Sequence, residues 1–470
     1  MGSKKLSHLG LKKLLVLLLG VCLTLPLVSA VDIFSCGSIN NPGAYRLAND
    51  ISSFGSCITI DSSDVQLDCE NHLIQHGDPS ASGLLSITTG ITVDGGNNNI
   101  LIKNCRIHER SNTGGNGIAV LGTSNFVNIS NNLISTNTIG ESRGILFFRG
   151  NGHIAERNRI VIDDNKNENA GIIGFLITNA TISNNFIRIL GLQSGVLTND
   201  NSGILLFGAD SVDIIENDIS IDSLSDSYAL NLIGSNNIRS MENIFQGQSD
   251  GRGDLSYAVG LRNSQGISFN KDKLYNSYGW IYILNSDSSY SDITFERFSG
   301  SITTGSASIQ SGVTRDINRN NLDITQNKAF INDLAVPEFN VPSIIKLLNI
   351  GVSNPKIEFD LFDTGLWVDC PIGRCTLIYA GNDIEFSVTG FSSYRVVESP
   401  MCSLCGDIDA NGIVDIVDAN LAARIGAGLI IPTTQQLYCG DVNIDGKVDV
   451  QDALYIAKRA AGLPIVLMCV

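Results

Sequence analysis

The chain has 470 residues, with 47 acidic side chains against 31 basic ones and a formal net charge of −16. That length leaves room for two or three folded units. So acidic a chain, with no basic stripe to offset the charge, repels phosphate backbones and argues against nucleic acid as a partner.

At the N-terminus Lys4, Lys5, Lys12 and Lys13 precede an apolar run from Leu14 to Leu27, and Val28-Ser29-Ala30 offers small residues at a cleavage position. This order of features reads as a secretory signal peptide over residues 1–30. The run is broken by Pro26 and is short for a membrane span, and no other stretch approaches one. Loss of the leader lysines makes the mature chain more acidic still. All cysteines but Cys22 lie beyond the leader, an even number in an exported chain, which favours disulfides. Cys370 is expected to pair with Cys375, Cys36 with Cys57 and Cys69 with Cys105. The quartet Cys402, Cys405, Cys439 and Cys469 is expected to staple the last module. A metal site at Cys402-Ser403-Leu404-Cys405 is the rival, disfavoured because thiolates rarely stay reduced outside the cell.

From Ile58 to Ile324 the chain repeats itself, with short apolar runs between Asn, Gly, Ser and Asp and almost no proline. One recurring element is a Gly-Ile-apolar strand: Gly117-Ile118-Ala119-Val120, Gly144-Ile145-Leu146-Phe147, Gly171-Ile172-Ile173 and Gly203-Ile204-Leu205-Leu206. The other comprises Cys105-Arg106-Ile107, Asn132-Leu133-Ile134, Asn158-Arg159-Ile160, Asn185-Phe186-Ile187, Asn217-Asp218-Ile219, Asn243-Ile244-Phe245 and Asp272-Lys273-Leu274. Its steps are 27, 26, 27, 32, 26 and 29 residues. Short strands and turns at such a period signal a solenoid. A coil of this size holds about three strands, with alternate residues pointing into a narrow core. Asn132, Asn158, Asn185, Asn217 and Asn243 read as one internal ladder, since asparagine tolerates tight bends and its amide bonds the equivalent amide one coil away.

This stretch resembles the right-handed parallel β-helix proteins of the pectin-lyase-like superfamily and their periplasmic copper-protein-like relatives. Besides the repeat, Leu67-Asp68-Cys69-Glu70-Asn71-His72 and Ile102-Lys103-Asn104-Cys105-Arg106-Ile107 look like that family's opening coils. The resemblance implies a mostly β protein with the solenoid over residues 31–336. That fold hosts lyases, hydrolases, epimerases and non-catalytic surface proteins, so it implies no single activity. Over residues 337–399 the asparagine spacing stops. Ile344–Ile350, Lys356–Phe362, Thr376–Tyr379, Ile384–Val388 and Tyr394–Val397 alternate like strands of a small antiparallel, sandwich-like module.

In the tail two twelve-residue segments, Asp407–Asp418 and Asp441–Asp452, superimpose with an offset of 34 residues. The first offers side-chain oxygens from Asp407, Asp409, Asn411, Asp415 and Asp418, and the second from Asp441, Asn443, Asp445, Asp449 and Asp452. Ile413 and Lys447 supply a backbone carbonyl at position 7, and Gly412 and Gly446 occupy position 6, where the turn demands an unhindered backbone. Six to eight hard oxygens on alternate residues of a curled loop suit Ca²⁺. Helical stretches follow at Ala419–Gly426 and Ala453–Ala461, ended by Gly428 and Gly462, and no free-standing helix is expected before either loop. A duplicated loop-helix in an exported chain resembles a type I dockerin. That resemblance implies an α-helical dockerin over residues 400–470 with two EF-hand-like calcium loops, bound to a cohesin domain of a scaffold or surface protein. The implied cohesin contacts are Ile416, Val417, Val450 and Gln451, with Arg424, Lys458 and Arg459 as charged candidates. Because four carboxylates per loop repel one another, chelation is expected to remove both tail helicity and partner binding.

Tyr278, Trp280 and Tyr282 alternate along a strand; with Ile281 and Ile283 facing the core, the three rings would share an outer face and form a polysaccharide-binding surface. Glu156 with Asp163 and Asp164, Asp210 with Asp213 and Glu216, and Asp292 with Glu296 are candidate carboxylate pairs for glycoside cleavage. Arg143, Arg149, Arg157 and Arg159 are candidate partners for a uronate in a lyase. The pectin-cleaving families' Asn-Thr-Asp, Gly-His-Gly and Arg-Ile-Lys motifs are absent, so no catalytic residue is assigned. The sequons at Asn128 and Asn179 are expected on strands, and the Arg-Gly-Asp tripeptide at Arg252 reads as chance. Two functions follow: a polysaccharide lyase or glycoside hydrolase delivered by its dockerin, or a non-catalytic surface β-helix anchored the same way.

Overall fold

The computed structural model describes residues 30–79, 88–110, 114–138, 140–164, 169–191, 201–223, 227–248, 256–276, 278–361, 363–371, 373–399, 402 and 404–469. The expected leader, apart from Ala30, and the Arg-Gly-Asp tripeptide lie outside them. Two compact units form. The first comprises Met1–Glu296, Thr303–Leu322 and Leu334–Phe339, and the second Arg297–Ile302, Asp323–Asp333 and Asn340–Val470.

In the first unit each coil contributes three short strands, and equivalent strands of successive coils pair in parallel. One ladder runs through Thr88–Val93, Gly114–Val120, Glu141–Asn151, Ala170–Thr178, Asn201–Phe207, Ser227–Ile233, Ser256–Arg262 and Gly279–Leu284. A second runs from Asn98–Lys103 through Asn125–Ser130 and Ile154–Glu156 to Asn236–Met241 and Ile267–Asn270. A third runs from Leu73–His76 through Leu133–Thr138 and Phe186–Gly191 to Lys273–Asn276. This is a parallel β-helix.

Its core is a set of aligned columns. Ile107, Ile134, Ile160, Ile187 and Ile219 stack in register on the third ladder and face Ile118, Ile145, Ile172 and Ile204 of the first, all buried. The recurring glycine before those isoleucines occupies a corner. A Cβ on Gly144 would lie 2.4 Å from Ile160 Cγ2 and 2.5 Å from Gly171 O, so the coil closes only without a side chain there. Disulfides Cys36–Cys57 and Cys69–Cys105 clamp the opening coils.

The asparagine ladder exists as hydrogen bonds. Asn158 Oδ1 accepts from Asn132 N at 3.1 Å and Nδ2 at 3.0 Å, and the same double contact joins Asn158 to Asn185, Asn185 to Asn217 and Asn217 to Asn243. Asp272 ends the ladder, accepting from Asn243 N at 2.8 Å and Nδ2 at 2.9 Å. The β-helix then blunts its own edge. Thr314–Asn318 pairs antiparallel with Gly279–Leu284, and Ala307–Ile309 with Ser288–Ser291. Phe339 packs over Tyr290 and Phe295, with ring centroids 5.2 and 5.6 Å away.

In the second unit Ser343–Leu347, Cys375–Ala380 and Ile384–Val388 form antiparallel pairs, as do Lys328–Ile331, Pro355–Asp360 and Ser393–Glu398. Cys370–Cys375 closes a short loop. Three helices follow: α1 (Ile416–Gly426), α2 (Thr434–Gly440) and α3 (Val450–Ala460). Helix α2 corrects the expectation that no helix precedes either loop. Thr433 and Gln436 make a reciprocal capping box that starts it. Lys356 Nζ reaches the Tyr438 hydroxyl of α2 at 2.9 Å, tying the tail to the antiparallel strands.

Candidate functional site

Each acidic loop of the tail is shaped by its own carboxylates. Asp407 Oδ1 accepts from Asn411 N at 3.1 Å and its Oδ2 from Gly412 N at 2.8 Å. Asp441 repeats this with Asp445 N at 3.1 Å and Gly446 N at 2.9 Å. Gly412 and Gly446 have φ of 87° and 90°, the left-handed backbone expected at position 6. Asp415 and Asp449, at position 9, are the N-caps of α1 and α3, and Asp418 and Asp452, at position 12, complete capping boxes. Both helices therefore begin three residues earlier than the sequence implied, because positions 10 to 12 are already helical.

Asp418 is buried; one oxygen accepts from Ile408 N at 2.7 Å and Asp409 N at 3.1 Å, the other from Asp415 N at 2.9 Å. Asp452 is placed alike, bonded to Val442 N at 3.0 Å and Asp449 N at 2.9 Å, and burial raises its pKa against those bonds. In the first loop oxygens of Asp407, Asp409 and Asp418 lie within 4.8 Å of one another; in the second, those of Asp441, Asp445 and Asp452 do. The donor set is all oxygen, with no thiolate or imidazole, which fits a hard divalent cation. Asn411 and Asn443 sit on the rims, their amides directed at Asp409 (3.0 Å) and Asp445 (3.3 Å). Lys447 Nζ pairs with Asp449 at 2.9 Å and holds that carboxyl below its usual range, whereas Ile413 occupies the same position in the first loop.

Beside the loops, Ile416, Val417 and Val450 are 67, 53 and 75% exposed, and Gln451, Arg424 and Arg459 are exposed as well. Lys458 is half-buried over the Tyr455 ring. Leu454, Leu429 and Leu463 are exposed too.

The aromatic expectation on the β-helix is corrected. Trp280 is 1% exposed, packs edge-on against Phe295 and donates Nε1 to Leu322 O at 3.1 Å. It occupies the corner that glycine holds in earlier coils, where the chain bends, so Trp280 and Ile281 both point inward and strict alternation fails. Tyr278 and Tyr282 are half-buried against Tyr257, with centroids 5.8 and 5.6 Å away. Exposed rings lie elsewhere on the same ladder, at Phe148 and Phe207, with the half-buried Phe175 between them. Phe148, Phe175 and Phe207 stand in register on successive coils, 6.0 and 5.8 Å apart, with the Arg149 guanidinium 5.4 Å from the Phe148 ring. The signal was present: each is the fifth residue of a Gly-Ile strand.

The other candidates are dispersed. Asp213 forms two bonds to Arg239 at 2.9 and 2.8 Å, Asp210 accepts from Asn237 at 2.8 Å, and Glu296 is hydrogen-bonded to Tyr275. Arg143 pairs with Glu141 at 3.1 Å, Arg157 with Glu156 at 4.0 Å, and Arg159 lies over Phe186. Asn128 lies on a strand as expected; Asn179 instead sits in a turn, with φ of 49° and its amide bonded to Asn151 at 2.7 Å. Cys402–Cys439 and Cys405–Cys469 are disulfides, which removes the thiolate metal site.

No family model matches the chain. No curated protein matches it either. Among solved structures it is similar to a cysteine-to-alanine mutant of DFA-IIIase from Arthrobacter chlorophenolicus A6 in complex with DFA-III. The identity is 11%, covering 53% of this chain and 74% of that one, with a TM-score of 0.30. It is also similar to the Dettilon tailspike protein, at 10% identity over 75% of this chain and 86% of that one, with a TM-score of 0.18. The fold assignment rests on this chain's own strand register. Among the described residues no helix is long and apolar enough to cross a membrane.

Proposed function

We propose that the protein is an exported β-helix carried to its place of work by a dockerin-like tail. That tail binds two Ca²⁺ ions and docks on a cohesin domain of a scaffold or surface protein. One observation carries the reading: the same acidic loop occurs twice, 34 residues apart, each converging three carboxylates and running into a helix capped by its own position 9 aspartate. Ca²⁺ would be held by Asp407, Asp409, Asn411, Asp415, Asp418 and the Ile413 carbonyl, and by Asp441, Asn443, Asp445, Asp449, Asp452 and the Lys447 carbonyl. Held there, Ca²⁺ would offset the repulsion among these carboxylates. The apolar residues beside the loops, Ile416, Val417 and Val450, then form the docking face with Gln451, Arg424, Lys458 and Arg459 around them. The five disulfides suit an oxidising compartment.

On the β-helix we assign glycan contact to the Phe148–Phe175–Phe207 row. Aromatic rings recur there once per coil, tilted 55° and 49° to one another, and supply apolar surface on which sugar rings can pack. The carboxylates and arginines are scattered into local pairs, so the surface supports binding without assigning a cleavage step. Calorimetric titration of the full chain with Ca²⁺ tests the tail: two bound ions are expected, and cohesin capture only when they are present. A chain that takes up no Ca²⁺, or binds cohesin equally in EDTA, sinks the reading.

A further inference from the structure

We infer that a double cysteine clasp, rather than the ion, holds the tail folded, so that Ca²⁺ switches docking on and off without melting the module while the disulfides are intact. This rests on the calcium reading above and deepens it, and it replaces the expectation that chelation removes tail helicity while keeping the loss of partner binding. The buried core shared by the two repeats consists of Ile408, Ala419, Ala422, Ile425, Val442, Val448, Ala453 and Ile456. Three of these eight are alanine, and only partly buried side chains such as Leu421, Tyr455 and Leu467 edge the cluster. So small a core does not hold a module of this size unaided, and a staple is needed, either metal or disulfide.

Both repeats open with the same tripeptide, Cys405-Gly406-Asp407 and Cys439-Gly440-Asp441. Each position 1 aspartate therefore lies two residues from a cross-linked cysteine. Cys439 is bonded to Cys402 and Cys405 to Cys469, closing spans of 37 and 64 residues. Gly406 N donates to Cys439 O at 3.0 Å, which joins the two loop entrances directly. The segment before Cys469 crosses the same place: Met468 N donates to Val442 O at 3.0 Å, and Leu467 packs on the core beside Gly406. The carboxylates that would meet the ion thus start from roots fixed to one another. The cost of gathering like charges is met when the bonds form, not when Ca²⁺ arrives. Reduction returns that cost to the binding step and makes folding of the tail depend on the ion.

Hydrogen exchange of the full oxidised chain, read at the amides of α1 and α3 with Ca²⁺ and with EDTA, tests this against the full-chain variant Cys405→Ser/Cys469→Ser. The oxidised chain should keep helix protection in EDTA while losing cohesin capture. The variant should lose protection in EDTA, regain it in Ca²⁺, and bind Ca²⁺ about tenfold more weakly. Loss of protection in EDTA with the bonds intact overturns the clasp, as do equal Ca²⁺ affinities in both chains. If the variant stays unfolded in saturating Ca²⁺, the oxidised chain in EDTA still decides. Absence of Ca²⁺ uptake by either chain overturns the calcium reading and the clasp together, so the two failures are distinguishable.

Discussion

Asp272 stands where the preceding coils carry asparagine, and the difference is chemical. An asparagine amide accepts from the coil before and donates to the coil after, whereas a carboxylate only accepts. Asp272 is fully buried, and burial lifts its pKa from the ordinary 3.8 to about 6. The folded state therefore holds that proton more tightly than the unfolded chain. The associated stability is complete below pH 3.8 and is lost as pH rises through about 6, by at most about 3 kcal/mol. Asp272→Asn should flatten this dependence, seen as a smaller change in urea midpoint between pH 4.5 and 7.5 than the parent shows. Asn185→Ala should cost about 2–5 kcal/mol, because it orphans two buried donors of Asn158. Denaturant unfolding checks that against Asn98→Ala, which removes a half-buried side chain bonded to Asn125 one coil on and should cost under about 1 kcal/mol. The inner asparagines were legible because one polar type recurs at a fixed step. The serine row Ser235, Ser264 and Ser286, which bonds coil to coil at 3.1 and 2.9 Å, was not, since serine is common throughout the chain.

At the scale of elements, strands were easier to read than helices. Short apolar runs between turn residues mark the coils, and the antiparallel strands near residues 343–398 fall close to where alternation places them. The first ladder was misread at Trp280 because a bend, invisible to a period-two pattern, turns two successive residues inward. The helix starts at Ile416 and Val450 were hidden because their first turn doubles as the end of an acidic loop. The two loops are not equivalent: Lys447 bonds Asp449 in the second, and the first has Ile413 in that place. We expect the first loop to bind Ca²⁺ more tightly. Lys447→Ala should strengthen the second by up to about fivefold, resolved as convergence of the two steps in a calorimetric titration.

For the whole molecule, the reading separates two activities onto two surfaces. Removing residues 400–470 should abolish cohesin capture and leave retention on a polysaccharide column unchanged. Phe148→Ala with Phe207→Ala should do the reverse. A pull-down and a column run on the same preparations check both, and loss of both properties together in either variant refutes the division. The general architecture was legible because a solenoid writes its period into the sequence. Which face of it is free was not, because exposure depends on what neighbouring segments cover. The aspartate that closes the inner amide row also bears on how such a chain lengthens. Upstream of it each asparagine of the row both accepts and donates, whereas the coil beyond it, which pairs Thr294–Arg297 with Lys273–Asn276, carries Ile293 at that place and stacks without the row. Tandem copying upstream of Asp272 thus lengthens the amide row with the helix, whereas copying beyond it lengthens the helix alone.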